Sequence, residues 1–113
     1  MATQKYLLIQ RSDPNTFEPP SAAQMQELYA AFSSWKEKFQ ANVLDMGGKL
    51  KAGGKVLTPD GVTDGPFIGA KEVVGGYMLV VAESYERALE VARECPGLMR
   101  SGSSVEIREI STG

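Results

Sequence analysis

The chain has 113 residues, which is enough for one folded domain around a single core and too few for two. Hydrophobic residues make up 42% and charged residues 23%, proportions that argue against a disordered chain. The net charge of −2 gives no reason to expect a nucleic-acid or membrane partner, and the absence of histidine excludes Ser-His-Asp and Cys-His nucleophile systems and the usual histidine-containing zinc sites. We therefore expect one domain over residues 1–113.

The compartment is suggested by weaker features. The longest mainly apolar run, residues 77–82, is far shorter than the roughly 18 to 20 residues of a membrane span. Residues 1–5 lack the pattern of a signal peptide. Cys95 is the only cysteine, so no internal disulfide is possible. These features predict a cytoplasmic protein.

The first half of the chain predicts a strand, a helix and a weak strand. Residues 5–10 are apolar and partly β-branched, as in a short strand. Ser21 follows two prolines as a helix N-cap, and the apolar residues after it, spaced by three and four as far as Met46, predict one helix ending at Gly47-Gly48. Leu50 and Val56-Leu57 indicate a second strand at the sheet edge.

The second half predicts a hairpin, a strand, a helix and a last strand. Two turn signals, Pro59-Asp60-Gly61 and Asp64-Gly65-Pro66, indicate a hairpin-like excursion over residues 58–66. A strand over residues 74–82 precedes a helix capped by Ser84, and residues 105–108 alternate as a final strand. The order βαββαβ predicts a ferredoxin-like α+β fold, an antiparallel four-stranded sheet with two helices on one face.

The two central strands of that sheet are apolar at successive positions, over residues 6–9 and 77–82, so both faces of the sheet need burial. Both helices lie on one face, which leaves the other face apolar and uncovered. A second copy packed sheet to sheet is the simplest cover, so we expect a homodimer through the sheet face. The alternative is an interaction module whose sheet face binds a different protein.

One segment indicates a family. The tetrapeptide Asp64-Gly65-Pro66-Phe67, followed by Lys71-Glu72 and Gly75-Gly76-Tyr77, resembles the DGPF signature of the YCII-related family. The resemblance implies a dimeric α+β barrel with clefts between helix and sheet, and a biological setting shared with extracytoplasmic-function sigma factors. Ile68-Gly69-Ala70 stands where the family commonly has an acidic residue, and the His-Asp pair proposed as catalytic in other members is absent.

Four residues are candidates for a site. Asp64 suits a ligand contact or a general acid or base, although an aspartate before Gly-Pro also stabilises its own turn. Arg11 and Lys71 suit an anionic ligand, with solvation and a salt bridge as the respective alternatives, and Tyr77 lies at the entry to the third strand. The lysines at 49, 51 and 55 lack the spacing of a phosphate-binding loop and are assigned to protection of an edge strand.

The leading functional hypothesis is a homodimeric small-molecule-binding or regulatory domain. The alternative is a small cofactor-free enzyme, of the oxygenase or isomerase type, that uses Asp64 as general acid or base. The sequence identifies no cofactor and no metal site.

Overall fold

A computed structural model describes residues 3–13, 20–51, 53–65, 73–98 and 102–111. Its main sheet has four strands, and a separate hairpin has two. The main elements, in chain order, are β1 (Gln4–Ser12), α1 (Ala22–Lys38), β2 (Val43–Lys49), β3 (Gly54–Thr58), β4 (Gly61–Gly65), β5 (Val73–Ala82), α2 (Tyr85–Arg93) and β6 (Ser103–Glu109). A 3₁₀ turn, Pro96–Leu98, lies between α2 and β6.

The main sheet is antiparallel, with the strand order β2-β5-β1-β6. The two central strands are therefore β5 and β1, as the apolar runs predict. Side chains from alternate positions of both strands form one buried cluster with residues of α1 and α2, so the two helices share a face. The predicted α+β, ferredoxin-like fold is confirmed.

A capping box starts α1. The Ser21 hydroxyl accepts a hydrogen bond from the Gln24 amide, and the Gln24 side chain accepts one from the Ser21 amide. Lys36 and Lys38 lie in the last turn, where their positive charges interact favourably with the negative end of the helix dipole.

The prediction that this helix continues to Met46 is wrong. The helix ends at Lys38, and Asn42 links the following turn to β5. Its side-chain amide donates to the Val81 carbonyl at 2.8 Å, and its backbone carbonyl accepts from the Val81 amide at 2.7 Å. Val43 and Met46 both reach the core even though they lie on a strand. Bulges in β2 allow this, since they break the strict alternation of faces.

The predicted second strand was also misplaced. The edge strand beside β5 is β2, most of which the sequence assigned to the helix. Val56 and Leu57 belong instead to β3, which pairs with β4 outside the main sheet. The hairpin turn lies at the predicted Pro59-Asp60, whereas Asp64 lies within β4 and not in a turn.

The hairpin exposes apolar side chains. Leu57 and Val62 lie directly opposite each other on β3 and β4 and are 78% and 61% exposed. The two strands pair with each other and with no described strand of the main sheet. The hairpin is therefore separate from the main sheet.

Candidate ligand cavity

The helix-facing side of the main sheet changes character along β1. Tyr6 and Leu8 are fully buried beneath the helices, but the next position on the same face is the polar Gln10. Its cross-strand neighbours are Gly76 on β5 and Val105 on β6, and Gly76 in turn pairs with Lys49 on β2. This row across the sheet therefore holds a glycine where a core row would hold a large side chain.

A cavity of about 370 Å³ lies over this part of the sheet. The second half of α1 packs tightly, since Trp35 is buried and its indole N–H donates to the Val91 carbonyl of α2 at 2.9 Å. The first half of α1 lies over the part of the sheet where Gln10 and Gly76 replace large apolar side chains, so space remains between this half of the helix and the sheet. The described lining residues are Gln10, Arg11, Ser12, Pro20, Met25, Leu28, Tyr29, Phe32, Met46, Gly48, Lys49, Gly75, Gly76, Met78, Pro96, Gly97 and Ser103.

Gln10 is the central polar group of this cavity. Its side chain lies between two glycines: a Cβ built on Gly97 would lie 2.9 Å from its Oε1, and one built on Gly76 would lie 3.5 Å from its Nε2. Among the residues that the structure describes, no protein group forms a hydrogen bond with this amide. An amide that is half-buried in an apolar cavity gains free energy from a hydrogen-bonding ligand.

Cys95 lies beside the cavity and is unsuited to nucleophilic chemistry. Its thiol is buried, and a Cβ on Gly97 would lie 3.5 Å from the sulfur. Burial raises the pKa of the Cys95 thiol, which keeps it protonated. Cys95 is therefore a small residue of the buried core.

The predicted site residues do not come together within the described chain. Arg11 lines the cavity, but its Nε donates to Glu106 Oε1 at 3.0 Å. Hydrogen bonds from Arg108 and Arg11 lower the pKa of the Glu106 carboxyl. This ion-pair cluster lies at the β6 edge of the sheet.

Asp64 lies on the hairpin and not among the residues described as lining the cavity. Its carboxylate accepts a hydrogen bond from Lys55 Nζ across the β3–β4 pair, and its side chain is 87% exposed. Tyr77 is 40% exposed and occupies the face of β5 opposite the buried Met78. Lys71 lies outside the described residues. The functional roles of all four stay predictions.

Sequence reasoning missed Gln10 and assigned Lys49 only to edge protection. A signal was available for Gln10, because a polar residue interrupts the inward-facing row of a central strand. The glycines opposite it became informative only once the strand pairing was known.

The comparison with family models decides the classification. The model of the YCII-related domain matches residues 4–112, nearly the whole chain. The chain belongs to the YCII-related domain family. No curated protein matches it. The YCII-related signature tetrapeptide begins at Asp64-Gly65 in β4, while Pro66 and Phe67 lie outside the described residues.

Within the described ranges of this YCII-related domain, no three metal-ligating side chains of His, Cys, Asp or Glu cluster together. No described helix is long and apolar enough to cross a membrane.

Proposed function

We propose that this YCII-related protein is a small-molecule-binding domain that works as a homodimer, with its ligand in the cavity between α1 and the sheet. The observation that carries the proposal is the Gln10 amide, which lies in a mainly apolar space and forms no hydrogen bond with any group of the described residues. Ligand sites in proteins are typically clefts of about 300 to 1,000 Å³ with an apolar lining and a few polar groups that orient the ligand. The cavity has both properties.

The glycines support this interpretation. Gly76 and Gly97 flank Gln10, and any side chain there would enter the space around the amide. Helix α1 supplies flexible or aromatic side chains, among them Met25 and Phe32, which adapt to a bound molecule. The surrounding structure thus keeps the amide accessible to a ligand.

A cavity-filling variant tests the proposal. Leu28 lines the cavity, whereas Gln26 is exposed on the same helix, so Leu28→Trp and Gln26→Trp place the same ring inside and outside the cavity. A fragment library is screened by ligand-observed NMR against the purified protein and both variants. We expect fragments that bind the parent protein and Gln26→Trp, and that lose binding to Leu28→Trp. If no fragment binds, or if Leu28→Trp binds the same fragments equally well, the proposal is overturned.

The homodimer is proposed through the open face, defined here as the side of the main sheet opposite the helices. Leu7, Ile9, Leu79 and Val81 occupy this face by strand alternation, together with Tyr77. Both helices lie on the other side, so no described helix covers these five side chains. The open face and the exposed hairpin pair Leu57–Val62 both gain from burial against a second copy, because apolar area removed from water stabilises association.

An enzymatic role for Asp64 stays a separate prediction. The carboxylate is exposed and paired with Lys55 in one chain, so a catalytic role requires a second copy to enclose it. The proposed compartment is the cytoplasm, where a reducing environment preserves the free thiol of Cys95.

A further inference from the structure

The charged residues that line the cavity are all cationic in the described part of the chain. The described lining residues include two cationic ones, Arg11 and Lys49, and no acidic residue. Arg11 is already paired with Glu106, so its charge is largely compensated. Within the described ranges, Lys49 has neither an ion-pair nor a hydrogen-bond partner. A negatively charged ligand group would therefore meet an uncompensated cation at this rim.

Lys49 and Gln10 flank a space that an anion can occupy. The two residues lie in the same row of the sheet, two strands apart, with Gly76 between them. Adjacent strands are about 4.8 Å apart, so their Cα atoms are separated by roughly 10 Å. A carboxylate above Gly76 is within reach of the long lysine side chain and of the Gln10 amide N–H. Position 76 has no side chain, and the nearest atom to a Cβ built there is the Gly48 carbonyl oxygen at 3.1 Å.

The apolar residues of the lining indicate the chemistry of the uncharged part of the ligand. Met25, Met46 and Met78 converge on the cavity with the rings of Tyr29 and Phe32. Thioethers make favourable contacts with aromatic rings and adapt to their shape. Aromatic side chains add edge-to-face contacts with a second ring.

We infer that the cavity binds a small arylalkyl carboxylic acid as its anion, with the ring among the methionines and the carboxylate between Lys49 and Gln10. This inference deepens the proposed function and rests on it. It adds the charge and chemical class of the ligand, and it assigns Lys49 and Gln10 as its recognition residues.

Three molecules of nearly equal size test the inference: phenylacetate, phenylacetamide and phenethylamine. Their affinities are measured by titration of amide NMR spectra, which report binding at the backbone of Gly48, Gly75, Gly76 and Gly97. We expect phenylacetate to bind about tenfold more tightly than phenethylamine, the size of effect typical of one charge-assisted hydrogen bond. We expect phenylacetamide to fall between them.

Lys49→Met should remove the preference for the acid over the amide. Lys51→Met is the matched control, because Lys51 is an exposed lysine close by that does not line the cavity. Gln10→Leu should weaken both the acid and the amide, and Lys49→Gln provides a second variant should the methionine disturb the fold.

Equal binding of the three molecules, tighter binding of the amine, or the same loss in both lysine variants overturns the inference about ligand class. Failure of all three molecules to bind overturns it as well. The proposed function is tested separately by the fragment screen with Leu28→Trp, so it can survive any of these results.

Discussion

Gly47 occupies a position where any side chain would collide with the neighbouring strand. Its φ of +63° lies in the left-handed region, and a Cβ would lie only 1.8 Å from the carbonyl oxygen of Tyr77. Its amide also donates to Asp45 Oδ1 at 2.7 Å, which fixes the bulge of β2. We expect Gly47→Ala to lower the free energy of unfolding by more than about 2 kcal/mol, from strain and from weakened β2–β5 pairing. Gly53→Ala is the control, because nothing lies within 4 Å of a Cβ there; equal urea midpoints for the two variants would contradict this account.

Glu106 makes the ion-pair cluster with Arg11 and Arg108 sensitive to acid. The pKa of its carboxyl is lowered from the ordinary value of 4.5, so the unfolded chain binds the proton more tightly than the folded protein does. Its contribution to stability is therefore complete above 4.5 and is lost as the pH falls through the lower folded-state pKa. We expect Glu106→Gln to lower the melting temperature at about pH 7, and we expect the difference from the parent protein to shrink as the pH falls below 4.5 and through the folded-state pKa. A difference between the two proteins that persists unchanged across this acid range would exclude this explanation.

The capping box defines the start of α1, and its Ser21 cap was predicted from the sequence, whereas the Gln24 side-chain contact was not. Ser21→Ala removes the acceptor for the Gln24 amide and should cost about 1 kcal/mol of folding free energy. Ser33→Ala changes the same side chain at an exposed interior position of α1, where alanine is the better helix former. Chemical denaturation should therefore show a loss for the first variant alone, and equal losses would rule out the cap.

The end of α1 was not predictable from spacing alone. Apolar residues at 39, 43 and 46 fit a helix, yet they also fit a bulged strand whose inward positions are not strictly alternate. The deciding interactions are the hydrogen bonds between Asn42 and Val81, which are distant in sequence. β1, β5, α2 and β6 were predicted because each carries a local pattern, whereas the cavity depends on which residues of different strands become neighbours.

The open face and the hairpin together predict the oligomeric state of the protein. A lone two-stranded hairpin is marginally stable in water, and this one exposes Leu57 and Val62. We expect light scattering to give twice the chain mass of 12.2 kDa. Leu79→Asp places a charge in the middle of the open face and should give the single-chain mass, whereas Leu89→Asp, on the exposed side of α2, should not. A single-chain mass for the unmodified protein would support the interaction-module alternative.

Amide NMR of the purified protein shows whether a small molecule binds beneath the first half of α1. Gly48, Gly75, Gly76 and Gly97 line the cavity, and their backbone amides report what enters it. When fragment hits are added, we predict concentration-dependent shifts concentrated at these glycines and at Gln10, and no comparable shifts on the hairpin. Shifts confined to Asp64 and the hairpin, or no shift at all, would contradict the account.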